Sequence, residues 1–411
     1  MIDLRRYTLP NGLRVVHNYD PGTVMLAVNV VYLTGARDES RDLTGIAHLF
    51  EHLMFGGSAH VPAFDAELER AGGTSNAWTS ADFTSFYDVL PAANAATAMH
   101  LESDRMMALS FKPEALETQR RVVIEEFKQQ CLNRPYGRLM HELRAALYAP
   151  EHPYSWPVIG LEPEHIARVT EADVRRWFYS HYGPDNAVLA LSGPVPYDEG
   201  RRLVEHWFGD IAPIHPAPRH MPAPGFPAAT RRIEYRDPRI SAPLLAIGIP
   251  MGGYGAADYI PCDIITDLLS AGRSGRLYRH VVAGGDGTVI EADASIVGSE
   301  HDGFVMITAW TADASEATMA RAEEQLMEQI AALGRELPAH DYERALNRFE
   351  STFALGNYDP LSRASNLAMA EIHGEDINAT VARQRAAGID AVRAVAAELA
   401  ARPRVALRYI P

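Results

Sequence analysis

Six prolines stand between Gly209 and Thr230, in the run GDIAPIHPAPRHMPAPGFPAAT, and no regular element survives that density. Each proline fixes its own φ and removes a backbone donor, so the stretch reads as a stiff, extended linker cutting the chain into two halves. The same order of elements appears on either side. Before the linker, a strand–turn–strand pattern around Pro10-Asn11-Gly12 leads to a strand at Val24–Thr34 and a helix beginning at Thr44. After it, strands at Arg232–Asp237 and Leu244–Pro250 precede a helix over Tyr259–Ser270, a strand at Phe304–Ala309 and a helix at Ser315–Leu333. Strands first, with helices packed on one face, predict an α+β sandwich in each half. A chain of 411 residues is also too long for one small core, which favours two domains.

Composition removes several function classes. No apolar run approaches the ~20 residues that cross a bilayer, and the N-terminus enters a strand pattern with no apolar signal core. The expectation is a cytoplasmic chain, or a periplasmic or organellar one whose leader has been removed. A net charge of −15 argues against nucleic acid, whose binding leans on basic surface. Two cysteines, Cys131 and Cys262, cannot build a disulfide framework or a structural zinc site, and both read as small buried hydrophobes.

The chemistry is concentrated in His48-Leu49-Phe50-Glu51-His52. Residues four apart lie above one another on a helix, so His48 and His52 can share one metal ion. Glu51, at the edge of the same face, can reach a water on that metal. The spacing is H-x-x-E-H, the reverse of the H-E-x-x-H zinc-peptidase helix. Thr44 is a candidate N-cap and Gly56-Gly57 a stop. With 16 histidines in the chain, two at this spacing can also be ordinary side chains, and a third ligand decides between the readings.

That ligand is sought in Pro113–Leu132, PEALETQRRVVIEEFKQQCL, a long helix with Leu116, Val122, Val123, Phe127 and Cys131 on its apolar side. Its two adjacent carboxylates point about 100° apart. Glu125 is paired in sequence with Arg121 and Lys128, as on a solvated face. Glu126 shares a half-buried stripe with Gln119, Val122 and Val123, where a carboxylate needs a partner. Glu126 is therefore the candidate ligand; a helix-face salt bridge is the alternative.

HLFEH together with VVIEEF resembles the pitrilysin/insulinase family of zinc peptidases, the inverzincins, with Glu126 standing 74 residues after His52. The segment Gly72–Ser80 (GGTSNAWTS) followed by Thr84-Ser85-Phe86-Tyr87 is similar to the family's border of the active site. His152-Pro153-Tyr154 with Ile159-Gly160, and Tyr182–Ala187 (YGPDNA) leading into a strand at Val188–Ser192, are further matching blocks.

The resemblance implies a half-size member with two homologous α/β-roll domains: a zinc domain at 1–208, a linker at 209–231 and a non-zinc domain at 232–411. It implies one Zn²⁺ per chain on His48, His52 and Glu126, with Glu51 as general base on a zinc-bound water. Gln119 stands where the family usually has a glutamate, two helical turns before the distal ligand, and is a candidate to support the ligands. Asn76 and Ala77 are the implied substrate contacts, on an edge strand to which an extended peptide can add.

One departure bears on activity. Complete members carry an arginine and a tyrosine seven residues apart in the second domain. Here, after Ser270–Tyr278 (SAGRSGRLY) and with one residue of slack in the alignment, those positions fall on Val282 and Ile290, both apolar. The inferred function is a zinc endopeptidase subunit that cleaves unfolded peptides in an enclosed chamber, in a heterodimer whose paralogous partner supplies the arginine and tyrosine. A homodimer using another tyrosine, such as Tyr254 or Tyr358, is the alternative. A non-catalytic core-type scaffold and a presequence-processing peptidase subunit are the competing functions.

Overall fold

The computed structural model describes all 411 residues. The chain is mixed α and β, with two sheets. The first contains β1 (Leu4–Thr8), β2 (Arg14–Tyr19), β3 (Met25–Tyr32), β4 (Thr74–Thr79), β5 (Thr84–Pro91) and β6 (Ala187–Gly193), in the spatial order β1-β2-β6-β3-β5-β4. The second contains β7 (Arg231–Arg236), β8 (Leu244–Gly252), β9 (Val289–Val297), β10 (Asp302–Thr311) and β11 (Val405–Ile410), in the order β7-β11-β8-β10-β9. The orders repeat. A parallel pair, β2·β6 or β7·β11, is followed by antiparallel β3·β5·β4 or β8·β10·β9.

By contacts the chain forms two compact units, each discontinuous in sequence. The first comprises Met1–Phe127, Trp156–His220 and Phe353–Thr380; the second comprises Lys128–Ser155, Met221–Thr352 and Val381–Pro411. Two segments therefore lie across the proline-rich linker from the sheet they pack on. Helix Pro360–Ile372 covers the outer face of the first sheet, where Ala364, Leu367 and Ala368 are buried with Val16, Ala27, Val31, Val188 and Ala190. Helix Leu139–Leu147 packs against β8 and β11 of the second, close enough that a Cβ on Gly248 would meet the Leu147 and Leu143 side chains.

This arrangement explains a sequence feature. Strand β3 reads MLAVNVVY with hardly an alternation, and β6 is buried at every position. Alternation marks a sheet with one wet face. These strands have helices on both faces, so both sets of side chains are apolar, each fully buried Val or Leu contributing roughly 1.5–3 kcal/mol. The inner face of β3 carries Leu26, Val28, Val30 and Tyr32 into a core with Phe50, Phe86, Val123 and Phe178. In the second unit Leu245, Ile247 and Ile249 of β8 pack against Ile265, Leu268 and Leu269 of helix Tyr259–Ser270. Cys131 and Cys262 are both buried and form no disulfide. No helix is long and apolar enough to cross a membrane.

Candidate metal centre

Two helices of the first unit build the site. Helix Ile46–Leu53 buries Ile46, Ala47, Leu49, Phe50 and Leu53, which leaves His48, Glu51 and His52 on its remaining face. Helix Pro113–Phe127 buries Leu116, Val123 and Phe127, spaced at seven and four residues and so on one stripe, with Glu126 half-buried beside it. Glu125 is exposed. Val122, expected on the apolar side, is 45% exposed, because its step from Val123 turns it to solvent. Beyond Phe127 the chain widens into a π-helical turn, Lys128–Leu132.

Packing of the two helices brings His48, His52 and Glu126 together, with one ligand atom from each lying within 4.8 Å of the others. Glu126 Oε2 is 3.7 Å from His48 Nε2 and 3.6 Å from His52 Nε2. The imidazole centroids are 4.9 Å apart, with ring planes at 81°. A tetrahedral zinc with bonds of about 2.1 Å separates its ligand atoms by about 3.4 Å, so this donor set fits such an ion after a small contraction. Burial, with His52 beside it, pushes the His48 pKa down to about 4, which keeps that imidazole neutral and its lone pair available. The buried His48 Nδ1 has no hydrogen-bond partner.

Glu51 is half-buried, and its Oε2 accepts a hydrogen bond from the Thr79 hydroxyl at the end of β4. Burial raises its pKa above the ordinary carboxylate range, with the Thr79 bond and His52 pulling down and Glu126 pushing up. Thr79 stands in a quoted segment but had no assigned role. Its signal was the inward parity of β4, on which Ser75, Ala77 and Thr79 are half-buried while Thr74, Asn76 and Trp78 are exposed.

Strand β4 is an edge strand. Its Ala77 N–H donates to the Asn76 side-chain oxygen at 2.8 Å, so this donor faces away from β5 and is capped by its neighbour's amide. A buried ion pair, Arg37 to Asp82 at 2.8 Å, ties down the turn that follows. Gln119 is half-buried on the Glu126 helix, two turns before Glu126. In the second unit Val282 is half-buried at the end of the turn Leu277–Val282, and Ile290 is 59% exposed on β9. Tyr254 accepts a hydrogen bond from Arg383 at 3.4 Å, while Tyr358, in the first unit, is 83% exposed.

The entry to the His48 helix differs from the sequence expectation. Thr44 is not its N-cap. The cap position is Gly45, in the left-handed region at φ +88°, and Thr44 is fully buried with its hydroxyl accepting from Leu161 N and contacting His165 Nδ1, each at 2.8 Å. A side chain at Gly45 would strike Ile166 and the Ile159 carbonyl, so only glycine serves. The first-turn donor is met from a distance: Glu39 Oε1 accepts from Ala47 N at 2.9 Å, and its Oε2 accepts from Trp156 Nε1 at 3.0 Å. Burial pushes the Glu39 carboxyl up to about 8, against the pull of those donors. Capping boxes are local, and no sequence rule places an acceptor eight residues before the N–H it caps.

Two family models match successive parts of the chain. A family model described as Insulinase (Peptidase family M16) matches residues 14–153, which include His48, Glu51, His52 and Glu126. A model described as Peptidase M16 inactive domain matches residues 168–349. The zinc protease PqqE of Helicobacter pylori is 30% identical over 282 residues, covering 67% of this chain and 63% of that protein. The mitochondrial-processing peptidase subunit beta of Blastocladiella emersonii is 24% identical over 265 residues, 64% of this chain and 56% of that one. The chain spans about half to two thirds of the length of the first curated relatives it matches. A crystal structure of a protease from Helicobacter pylori superposes with a TM-score of 0.89 over 100% of both chains at 23% identity, a likeness of fold. With two models of one family matching consecutive parts that together exceed half of its length, the chain belongs to peptidase family M16, the insulinase/pitrilysin family.

Proposed function

We propose that this chain is a zinc-dependent endopeptidase subunit acting on unfolded peptides, with residues 1–208 as its zinc-bearing half, 209–231 as linker and 232–411 as the half without zinc. The observation that carries the reading is the convergence of three metal-ligating side chains from two helices beside a fourth, non-ligating carboxylate. His48, His52 and Glu126 would hold the ion. When bound, zinc supplies a Lewis acid that polarises a carbonyl and acidifies water.

Glu51 is the general base. It takes the proton of the attacking water and returns it to the leaving amine, a role that typically contributes 10²–10⁴-fold. Thr79 keeps the carboxylate in place through the hydroxyl it donates. An extended substrate adds to the open edge of β4, displacing the Asn76 amide from the Ala77 N–H. Because β4 also carries Thr79, the strand that takes the peptide is the strand that orients the base.

The apolar residues at Val282 and Ile290 support a site completed by a second chain, in the manner of a paralogous subunit contributing arginine and tyrosine. The relative named as a processing-peptidase beta subunit favours the same reading. The test is zinc content and turnover of a quenched peptide library on the purified chain. One zinc per chain, weak turnover and stimulation by the paralogous subunit would support the proposal; vigorous turnover alone, abolished by Glu51→Gln, would refute the need for a partner. Absence of zinc would overturn the peptidase reading in favour of a core-type scaffold.

A further inference from the structure

We infer that Glu39 is a positioning residue of the candidate metal centre, a buried, non-coordinating carboxylate that fixes the start of the helix carrying His48 and His52. The inference rests on the zinc reading of that centre. Glu39 is 7% exposed, and its two oxygens are divided between two elements. One accepts from Ala47 N in the first turn of the His48 helix, and the other from the indole N–H of Trp156, which also reaches the Ala36 carbonyl at 3.2 Å.

No cation balances Glu39; the one charged neighbour that acts on it is Asp38, of like sign. A buried carboxylate without a cation is costly, and the N–H groups at its oxygens offset that cost only in part: burial still pushes Glu39 up to about 8, so near neutral pH it holds its proton while its oxygens accept from Ala47 and Trp156. The local sequence offers no substitute, because Gly45 at the cap position has no side chain and Thr44 is committed to Leu161 and His165.

The consequence is geometric. Metal ligands must be held within fractions of an ångström, and groups behind them set that precision. The His48 helix has only eight residues, so its axis is set by its ends. At the start it is clamped between Glu39, tied to Trp156, and the segment from Ile159 to Ile166, whose Gly160 would strike the Thr44 carbonyl if it bore a side chain. His48 directly follows Ala47, the residue whose N–H Glu39 accepts, so a shift of the carboxylate turns the first histidine against Glu126.

The experiment uses the full chain as wild type, Glu39→Gln and Trp156→Phe. Zinc affinity is measured by competition with a chromophoric chelator, the visible absorption of the Co²⁺-substituted protein reports ligand geometry, and circular dichroism reports folding. The glutamine presents an N–H₂ where an acceptor is needed. Folded Glu39→Gln should bind zinc about 10–100-fold more weakly, with a shifted Co²⁺ band. Trp156→Phe, which removes one donor and keeps the carboxylate on Ala47, should show a smaller loss in the same direction, and it carries the test if Glu39→Gln does not fold. Wild-type affinity and an unshifted Co²⁺ band in the folded variants would overturn the positioning role while leaving the metal site standing. A wild-type protein that binds neither metal would remove both.

Discussion

His17 offers a sharp test of how the first unit is packed. It is 1% exposed on β2, and neither ring nitrogen has a well-formed hydrogen bond. The imidazole stands edge-on to Tyr197 at 5.0 Å, and a Cβ on Gly200 would lie 2.4 Å from its Cε1, so the ring fills a slot cut for it. Burial pushes its pKa down to about 4 from 6.5. The folded-state value is the lower one, so its contribution is full above pH 6.5 and is lost as pH falls from 6.5 towards 4. At 1.36 kcal/mol per pKa unit the ceiling is about 3.4 kcal/mol, of which about 2 kcal/mol is gone by pH 5. The assay is urea unfolding at pH 7.5 and pH 5, followed by tryptophan fluorescence, which four of the five tryptophans, Trp78, Trp156, Trp177 and Trp207, weight towards this unit. His17→Phe should lose about 2 kcal/mol less than wild type between the two pH values. Equal losses, or a His17 imidazole titrating near 6.5 by NMR, would refute the reasoning.

Glu126→Gln should lose most of its zinc while Glu125→Gln keeps it, by elemental analysis; at a free zinc concentration 100 times Kd, only the second should gain the expected ~2.7 kcal/mol of stability. Thr79→Val should retain zinc and lower kcat about tenfold or more, since a hydrogen bond to a charged group is worth roughly 1.5–3 kcal/mol; unchanged kcat would detach Thr79 from Glu51. Ala77→Pro deletes an edge donor that β5 does not use, so the protein should fold and its KM for peptides should rise roughly 2–10-fold, the worth of one main-chain hydrogen bond. An unchanged KM would remove β4 from substrate capture.

Periodicity carried the regular elements well and the long-range packing poorly. Helix Tyr259–Ser270 is found where its pattern places it, while β8 runs two residues past its expected end and β10 two residues past each of its expected ends. Those signals are local. The exchange of helices Leu139–Leu147 and Pro360–Ile372 across the linker has no local signature, because an amphipathic helix does not name the sheet it covers. One indirect trace existed: the unbroken apolar runs of β3 and β6 imply two covered faces. The site divides in the same way. Side chains four apart on one helix were legible as a pair, and the choice of Glu126 over Glu125 followed from helical angle, which the exposure of Glu125 matches. Val122 was misplaced because its neighbour Val123 accounts for the burial of that turn.

What remained illegible is the support behind the candidate ligands, for a physical reason. A helix needs its first-turn donors satisfied, and sequence rules look for the acceptor within a few residues. At the His48 helix the nearest candidate, Thr44, faces the opposite way, onto Leu161 and His165, and the duty passes to Glu39. That substitution leaves Gly45 free to take its left-handed turn, which brings Thr44 and Gly45 against Ile159 and Gly160. A local serine or threonine cap would satisfy the same N–H without linking it to anything else. The remote carboxylate couples the start of the helix to Trp156, more than a hundred residues away, so the histidines are placed by the fold of the whole unit. Such a site should tolerate surface change and respond sharply to change at Glu39, Gly45, Trp156 and Gly160, four positions that touch no ligand.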